Sequence, residues 1–226
     1  MTELLDLAFP TACHGCGAPG GEVLCPRCLA EIALSTSRED LEEHGGIKAG
    51  SRPAQGFSGF RAAGPYEGLL REAVLALKSS RRPFAAPLAL LMMAAAGNDP
   101  AYIAPDAVCF VPSTRAKVLE RGYNPAEVLA RIISGRTGRP IVACLAKTRE
   151  TEDQDALSRA ARFPNVNGAF RARASDVRGG RILLVDDVLT TGATAGSCSE
   201  ALLSAGARSV HVLVAAEATH GERYRG

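Results

Sequence analysis

Two groups of residues in this 226-residue chain have the types and spacing to do chemistry. The first runs from Ile182 to Thr194, ILLVDDVLTTGAT: four apolar residues, the paired carboxylates of Asp186 and Asp187, then Thr190-Thr191-Gly192-Ala193-Thr194. A small-residue turn opening into a helix suits a phosphate. Gly192 lets the backbone come close, helix-start N–H groups point outward, and three threonine hydroxyls add donors. Carboxylates would repel that phosphate at contact, but a few ångströms away they can accept hydrogen bonds from sugar hydroxyls. Phosphate at one end and a diol at the other describe a ribose 5-phosphate. Taken separately, Thr-Thr-Gly reads as a helix cap and Asp-Asp as a solvated strand end; on one strand–turn–helix they favour the phosphosugar.

The second group is Cys13, Cys16, Cys25 and Cys28, spaced Cys-x2-Cys-x8-Cys-x2-Cys. Two intervening residues let both sulfurs of a pair face one ion, and Gly15, Gly17, Pro19, Gly20, Gly21 and Pro26 supply the turns. About 30 residues cannot bury enough apolar surface to fold unaided. The expectation is a structural Zn²⁺ with four thiolates and no open position; His14 is a less economical fourth ligand. Disulfides are the competing reading, disfavoured because Glu3 and Asp6 stand where a signal peptide would be basic, which points to a reducing cytoplasm. Gly15–Gly20 also spells GxGxxG, but it follows no strand and is interrupted by a cysteine. No GxxxxGK[ST] stretch occurs, so a Walker-type nucleotide site is excluded.

The elements that must position these groups alternate. Helical spacing is expected over 68–79 and 84–96, and a short strand or hairpin near Phe60 and Tyr66. AVCFV (107–111) suits a buried strand. Asn124 caps a helix with Pro125 first and Glu127 third, ended by Gly135. IVACL (141–145) and RILLV (181–185) read as strands, 193–205 as a helix closed by Gly206, and 210–216 as a last strand. Alternation of this kind means an α/β fold with a mostly parallel sheet flanked by helices. Ligands then bind at the carboxyl ends of the strands.

Composition fits a globular chain: 46% hydrophobic, 22% charged, net charge +2. No run of apolar residues is long enough to span a bilayer. The charge is uneven, with 3 basic against 8 acidic side chains in 1–50 and 14 against 7 in 111–181. The basic stretch suggests an anionic ligand. Cys109, Cys144 and Cys198 read as small buried hydrophobes, and His211 as a satisfied core residue.

LLVDDVLTTGATA resembles the phosphoribosyl diphosphate (PRPP) signature of type I phosphoribosyltransferases. With the four-cysteine segment, PYEGLLREAVLALK, VPSTRAKVLERGYNPAEVLA and LAKTRETEDQDALSRAARFPNVNGAF, the chain resembles the ComF/GntX branch of that superfamily. The resemblance implies a phosphoribosyltransferase-like domain at 57–226, a zinc-ribbon-like module at 1–45 and a linker at 46–56. It implies that Asp186 and Asp187, as catalytic residues, hold the ribose 2′- and 3′-hydroxyls directly or through a divalent ion, with Mg²⁺ accompanying PRPP. Thr190, Thr191, Gly192, Ala193 and Thr194 would cradle the 5′-phosphate, and Ser113, Thr114 and Arg115 the pyrophosphate. Lys147, Arg149, Gln154, Arg159 and Arg162 would belong to a hood. Arg121-Gly122-Tyr123-Asn124 repeats a family motif. The sequence departs from the pattern at Ser113 and Pro125, at Glu152 and Asp153 where prolines are common, and at Lys147 where arginine is.

Two functions follow as expectations. One is transfer of phosphoribosyl from PRPP to an unidentified acceptor, linked to competence and DNA uptake. The other is a non-catalytic accessory protein using the zinc module and the basic segment to contact single-stranded DNA or a helicase-type uptake protein, also in the cytoplasm.

Overall fold

The computed structural model describes residues 12–20, 22–35, 56–148 and 168–218. Its central sheet is four-stranded and wholly parallel, in the order β1-β6-β5-β2. The strands are β1 (Gly59–Ala62), β2 (Ala107–Phe110), β5 (Arg181–Leu189) and β6 (Ser209–Glu217). A separate antiparallel pair joins β3 (Leu145–Lys147) to β4 (Phe170–Ala172). The helices are α1 (Pro26–Ser35), α2 (Gly68–Lys78), α3 (Ala85–Ala96), α4 (Pro100–Ile103), α5 (Arg115–Arg121), α6 (Pro125–Thr137) and α7 (Ala193–Ser204).

A parallel sheet must be covered on both faces, and the alternation along β5 shows how. Leu183 and Val185 face one apolar layer with Val74 and Leu77 of α2, Leu88 and Met92 of α3, and Leu129 and Ile133 of α6. Ile182 and Leu184 face the other, with Cys198 and Leu202 of α7 and Phe170 of β4. All four are at most 1% exposed, and each such leucine or isoleucine contributes about 1.5–3 kcal/mol by burial. The expected α/β architecture is therefore present, with its core split into two layers by the sheet.

Several boundaries differ from the sequence expectation. Helix α6 runs through Gly135 to Thr137 and ends at Gly138, which takes the left-handed conformation (φ 67°). Gly135 has open space around it, so only helix propensity opposed it, a cost of about 1 kcal/mol. Glu127 pairs with Arg131 at 2.7 Å, while the Asn124 side chain does cap, accepting from the Ala126 N–H. IVACL is not one strand: Ile141 forms a single bridge with Val108, and β3 begins only at Leu145, in the other sheet. Strand β5 is longer than RILLV and carries both aspartates. Helix α5, unanticipated, buries none of its residues and so leaves no apolar periodicity to read.

Candidate phosphosugar site and cysteine centre

Asp186 and Asp187 lie near the carboxyl end of β5, the second strand from one edge of the sheet. Pleating sends adjacent side chains to opposite faces. Asp187 meets α2, where the Lys78 ammonium lies 3.4 Å from its Oδ1. Asp186 is on the side of α7, and its Oδ1 accepts a 2.9 Å hydrogen bond from the Asp187 N–H. Desolvation, reinforced by the Asp187 charge, pushes the Asp186 carboxyl up to about 8, against the pull of that N–H and Lys78. The buried Cys198 thiol on α7 is also pushed up, first by burial and then by the Asp186 charge, with Lys147 acting in the opposite sense.

The chain then turns through Thr190, Thr191 and Gly192 into α7. Gly192 is left-handed (φ 78°), where a Cβ would cost energy, and the Thr191 hydroxyl accepts from the Ala193 N–H at 3.3 Å. Ala193 and Thr194 form the first turn of a 12-residue helix. The loop after β2 lies alongside, because the Val111 N–H donates to the Val185 carbonyl at 3.0 Å. Ser113, Thr114 and Arg115 belong to that loop and the start of α5, which Thr114 caps by accepting from the Lys117 N–H. Thus the structure brings 113–115 and 186–194 to one end of the sheet. Lys147 closes β3. Arg149, Gln154, Arg159 and Arg162 lie outside the described residues.

The sequence marks Asn124 as a helix cap and Tyr123 as part of a motif, but not the contacts by which they tie these pieces together. Asn124 donates to the Val111 carbonyl (2.9 Å) and accepts from the Ser113 hydroxyl (3.0 Å), fixing the loop after β2. Tyr123 donates to the Leu77 carbonyl at 2.6 Å, and Ser80 to the Arg121 carbonyl at 3.1 Å. Lys78 looked like any basic residue in a last helical turn, where it also suits the dipole. Only the fold reveals its partner.

The four cysteine sulfurs lie within 4.8 Å of one another. Cys13–Cys28 and Cys16–Cys25 are 3.7 and 3.6 Å apart, close to the ~3.8 Å edge of a tetrahedron with zinc–sulfur bonds of about 2.3 Å. Backbone N–H groups of Cys16 and Cys25 pull the Cys13 thiol down to about 6, whereas burial pushes Cys28 up to about 12. A cation among them would let both ionise. The set fits zinc. His14 stands apart, its Nε2 3.7 Å from Glu72 and its ring edge-on to Phe84. A Cβ on Gly15 would meet Leu69 Cδ2 at 2.7 Å and Cys28 Sγ at 2.8 Å, so the cysteine turn sits directly on α2.

Cys109, Cys144 and Cys198 are buried as expected. His211 differs from expectation: its Nδ1 is buried with no hydrogen-bond partner among the described residues, while its ring packs edge-on against Tyr102. His44 and His220 lie outside the described residues.

A carboxylate pair at a parallel strand end, followed by a left-handed glycine and a helix start, is the arrangement that the sequence resemblance to phosphoribosyltransferases leads one to expect. The phosphoribosyl transferase domain family matches residues 118–225. DNA utilization protein YhgH of Escherichia coli O6:H1 is 34% identical over 109 residues, covering 48% of each chain. Competence protein F of Haemophilus influenzae is 32% identical over 111 residues, again 48% of each. The chain's carboxyl-terminal half is thus similar to the phosphoribosyl transferase domain family and to these DNA-utilization and competence proteins. The chain spans about half the length of the curated relatives it matches. Among solved structures, glutamine PRPP amidotransferase from B. subtilis aligns at 25% identity over 60% of this chain and 26% of its own, with a TM-score of 0.38. Among the described residues, no helix is long and apolar enough to cross a membrane.

Proposed function

We propose that the chain binds PRPP, or a ribose 5-phosphate group, at the carboxyl end of β5. The observation that carries this reading is the convergence of Asp186–Asp187, the 190–194 turn and the 113–115 loop at one sheet end. The start of α7 and the threonine hydroxyls hold the 5′-phosphate, the aspartates accept from the ribose hydroxyls, and Ser113, Thr114 and Arg115 face the pyrophosphate. Mg²⁺ would be held with the pyrophosphate and by the oxygens of Asp186 and Asp187, and it supplies charge neutralisation of the leaving group. Transfer breaks the C1–O bond to pyrophosphate, which leaves with its electron pair, and forms a bond from C1 to the acceptor's nucleophilic atom through an oxocarbenium-like state. Arg115, Lys147 and the arginines of 149–162 stabilise the departing charge. Zinc at Cys13, Cys16, Cys25 and Cys28 would be architectural, in a module of about residues 1–45 joined through 46–56 to the domain at 57–226. Calorimetric titration with PRPP and Mg²⁺ tests the site: wild type binds, and Asp186→Ala/Asp187→Ala does not. Equal binding by both would overturn the assignment. Pyrophosphate release with candidate acceptor bases tests turnover.

A second reading, contact with single-stranded DNA, is favoured by the relatives' names and by charge at the opposite end of the sheet. There Arg178 and Arg208 are exposed and Arg139 half-buried, none in an ion pair among the described residues. Docking of a helicase-type uptake protein belongs to the same reading. Oligonucleotide affinity should fall steeply with salt and drop on Arg139→Gln/Arg178→Gln/Arg208→Gln. Salt-independent binding would remove it.

A further inference from the structure

We propose that Lys78 is a positioning residue of the phosphosugar site, its ammonium holding the Asp187 carboxylate in place and offsetting the negative charge that an incoming phosphosugar meets. The inference rests on the reading of 186–194 as the PRPP site and adds a cation that the signature itself does not contain.

The geometry is specific. Lys78 is the last residue of α2 and reaches Asp187 at 3.4 Å, with side-chain exposures of 25% and 15%. An exposed pair of this kind is worth little, but this one is mostly withdrawn from solvent, where screening is weaker. Two adjacent carboxylates would otherwise repel both each other and a phosphorylated ligand. One ammonium on the α2 side pairs with Asp187 and reduces the local charge that Asp186, on the other face, also feels.

The end of α2 is also held. Tyr123 donates to the carbonyl of Leu77, the residue before Lys78, and Ser80 donates to the Arg121 carbonyl from a left-handed backbone (φ 66°). The next residue in that corner, Asn124, anchors Val111 and Ser113 of the loop after β2. Residues 121–124 therefore brace two walls of one site: the loop facing the pyrophosphate and the lysine facing Asp187. A helix cap alone would need neither the tyrosine nor the link to Leu77.

The test is a double-mutant cycle read in PRPP affinity, with ligand-free melting temperature recorded for every variant. Lys78→Gln should weaken binding by about tenfold or more, in the range expected for a lost charge-assisted contact. Lys78→Arg, which keeps the charge, should stay within about threefold of wild type. Asp187→Asn in the Lys78→Gln background should cost clearly less than it does alone, because the pair acts as a unit. Tyr123→Phe should give a smaller loss with Lys78 and Asp187 intact, which keeps the idea testable if Lys78→Gln folds poorly. Unchanged or tighter binding by Lys78→Gln, no rescue by arginine, or additive losses would overturn the role of Lys78 while leaving the PRPP site standing. Absence of PRPP binding in wild type would overturn both.

Discussion

Asp106, just before β2, bonds the amino end of β5, while Asp186 lies near its carboxyl end, and the two are treated in opposite ways. At its amino end, Asp106 accepts from the Arg181 backbone N–H (2.8 Å) and from the same guanidinium at 3.2 and 3.3 Å. Those hydrogen bonds hold its carboxyl down at about 2. At the carboxyl end, Asp186 receives one backbone N–H and an adjacent like charge, with no guanidinium on it among the described residues, and it is pushed up to about 8. The first aspartate is saturated and structural. The second, buried beside a like charge, gives up its proton only reluctantly.

The largest expected effect is on binding. Asp186→Asn/Asp187→Asn should reduce PRPP affinity at least about thirtyfold, while Asp106→Asn changes it less than about twofold, as read by calorimetry. A comparable loss from both would erase the distinction between the ends. The next effect is on stability as pH changes. The folded-state value of Asp186 is raised, so between about pH 4 and 8 the unfolded chain binds fewer protons than the native one, and stability falls as pH rises. Asp186→Asn should therefore melt several degrees higher than wild type at pH 8 and about equal to it near pH 4. Asp106 has the opposite sign: its stabilisation is present above about pH 4 and lost as pH falls towards 2. Asp106→Asn should melt slightly lower than wild type at neutral pH, with the difference vanishing near pH 2. The smallest effect is salt dependence. The Asp106–Arg181 pair is partly exposed, so its contribution should shrink in high salt.

Local chemistry was legible in the sequence, and convergence in space was not. The four-cysteine spacing, the Asn124 cap and the apolar run into Asp186–Asp187 each rest on neighbours within a few residues. Helix α5 went unread because it buries none of its residues, and IVACL misled because five apolar residues can serve a single bridge and the approach to another sheet. Lys78 stands more than 100 positions from Asp187 in the sequence, so nothing short of the parallel register could join them. Similarly, the hydrogen bonds of Tyr123 and Asn124 run to partners on α2 and after β2, elements whose approach no local pattern encodes.

Gly15 of the cysteine turn rests on Leu69, in the first turn of the helix that ends at Lys78. Eleven residues at about 1.5 Å each make that helix a strut of about 16 Å, stiff over its length. Whatever seats the cysteine turn thus also sets the axial position of the lysine ammonium at the far end. Loss of an ion held there, or oxidation of the thiols, would slacken one footing of the strut, and the carboxyl end of β5 would register the change without any of its own residues being altered.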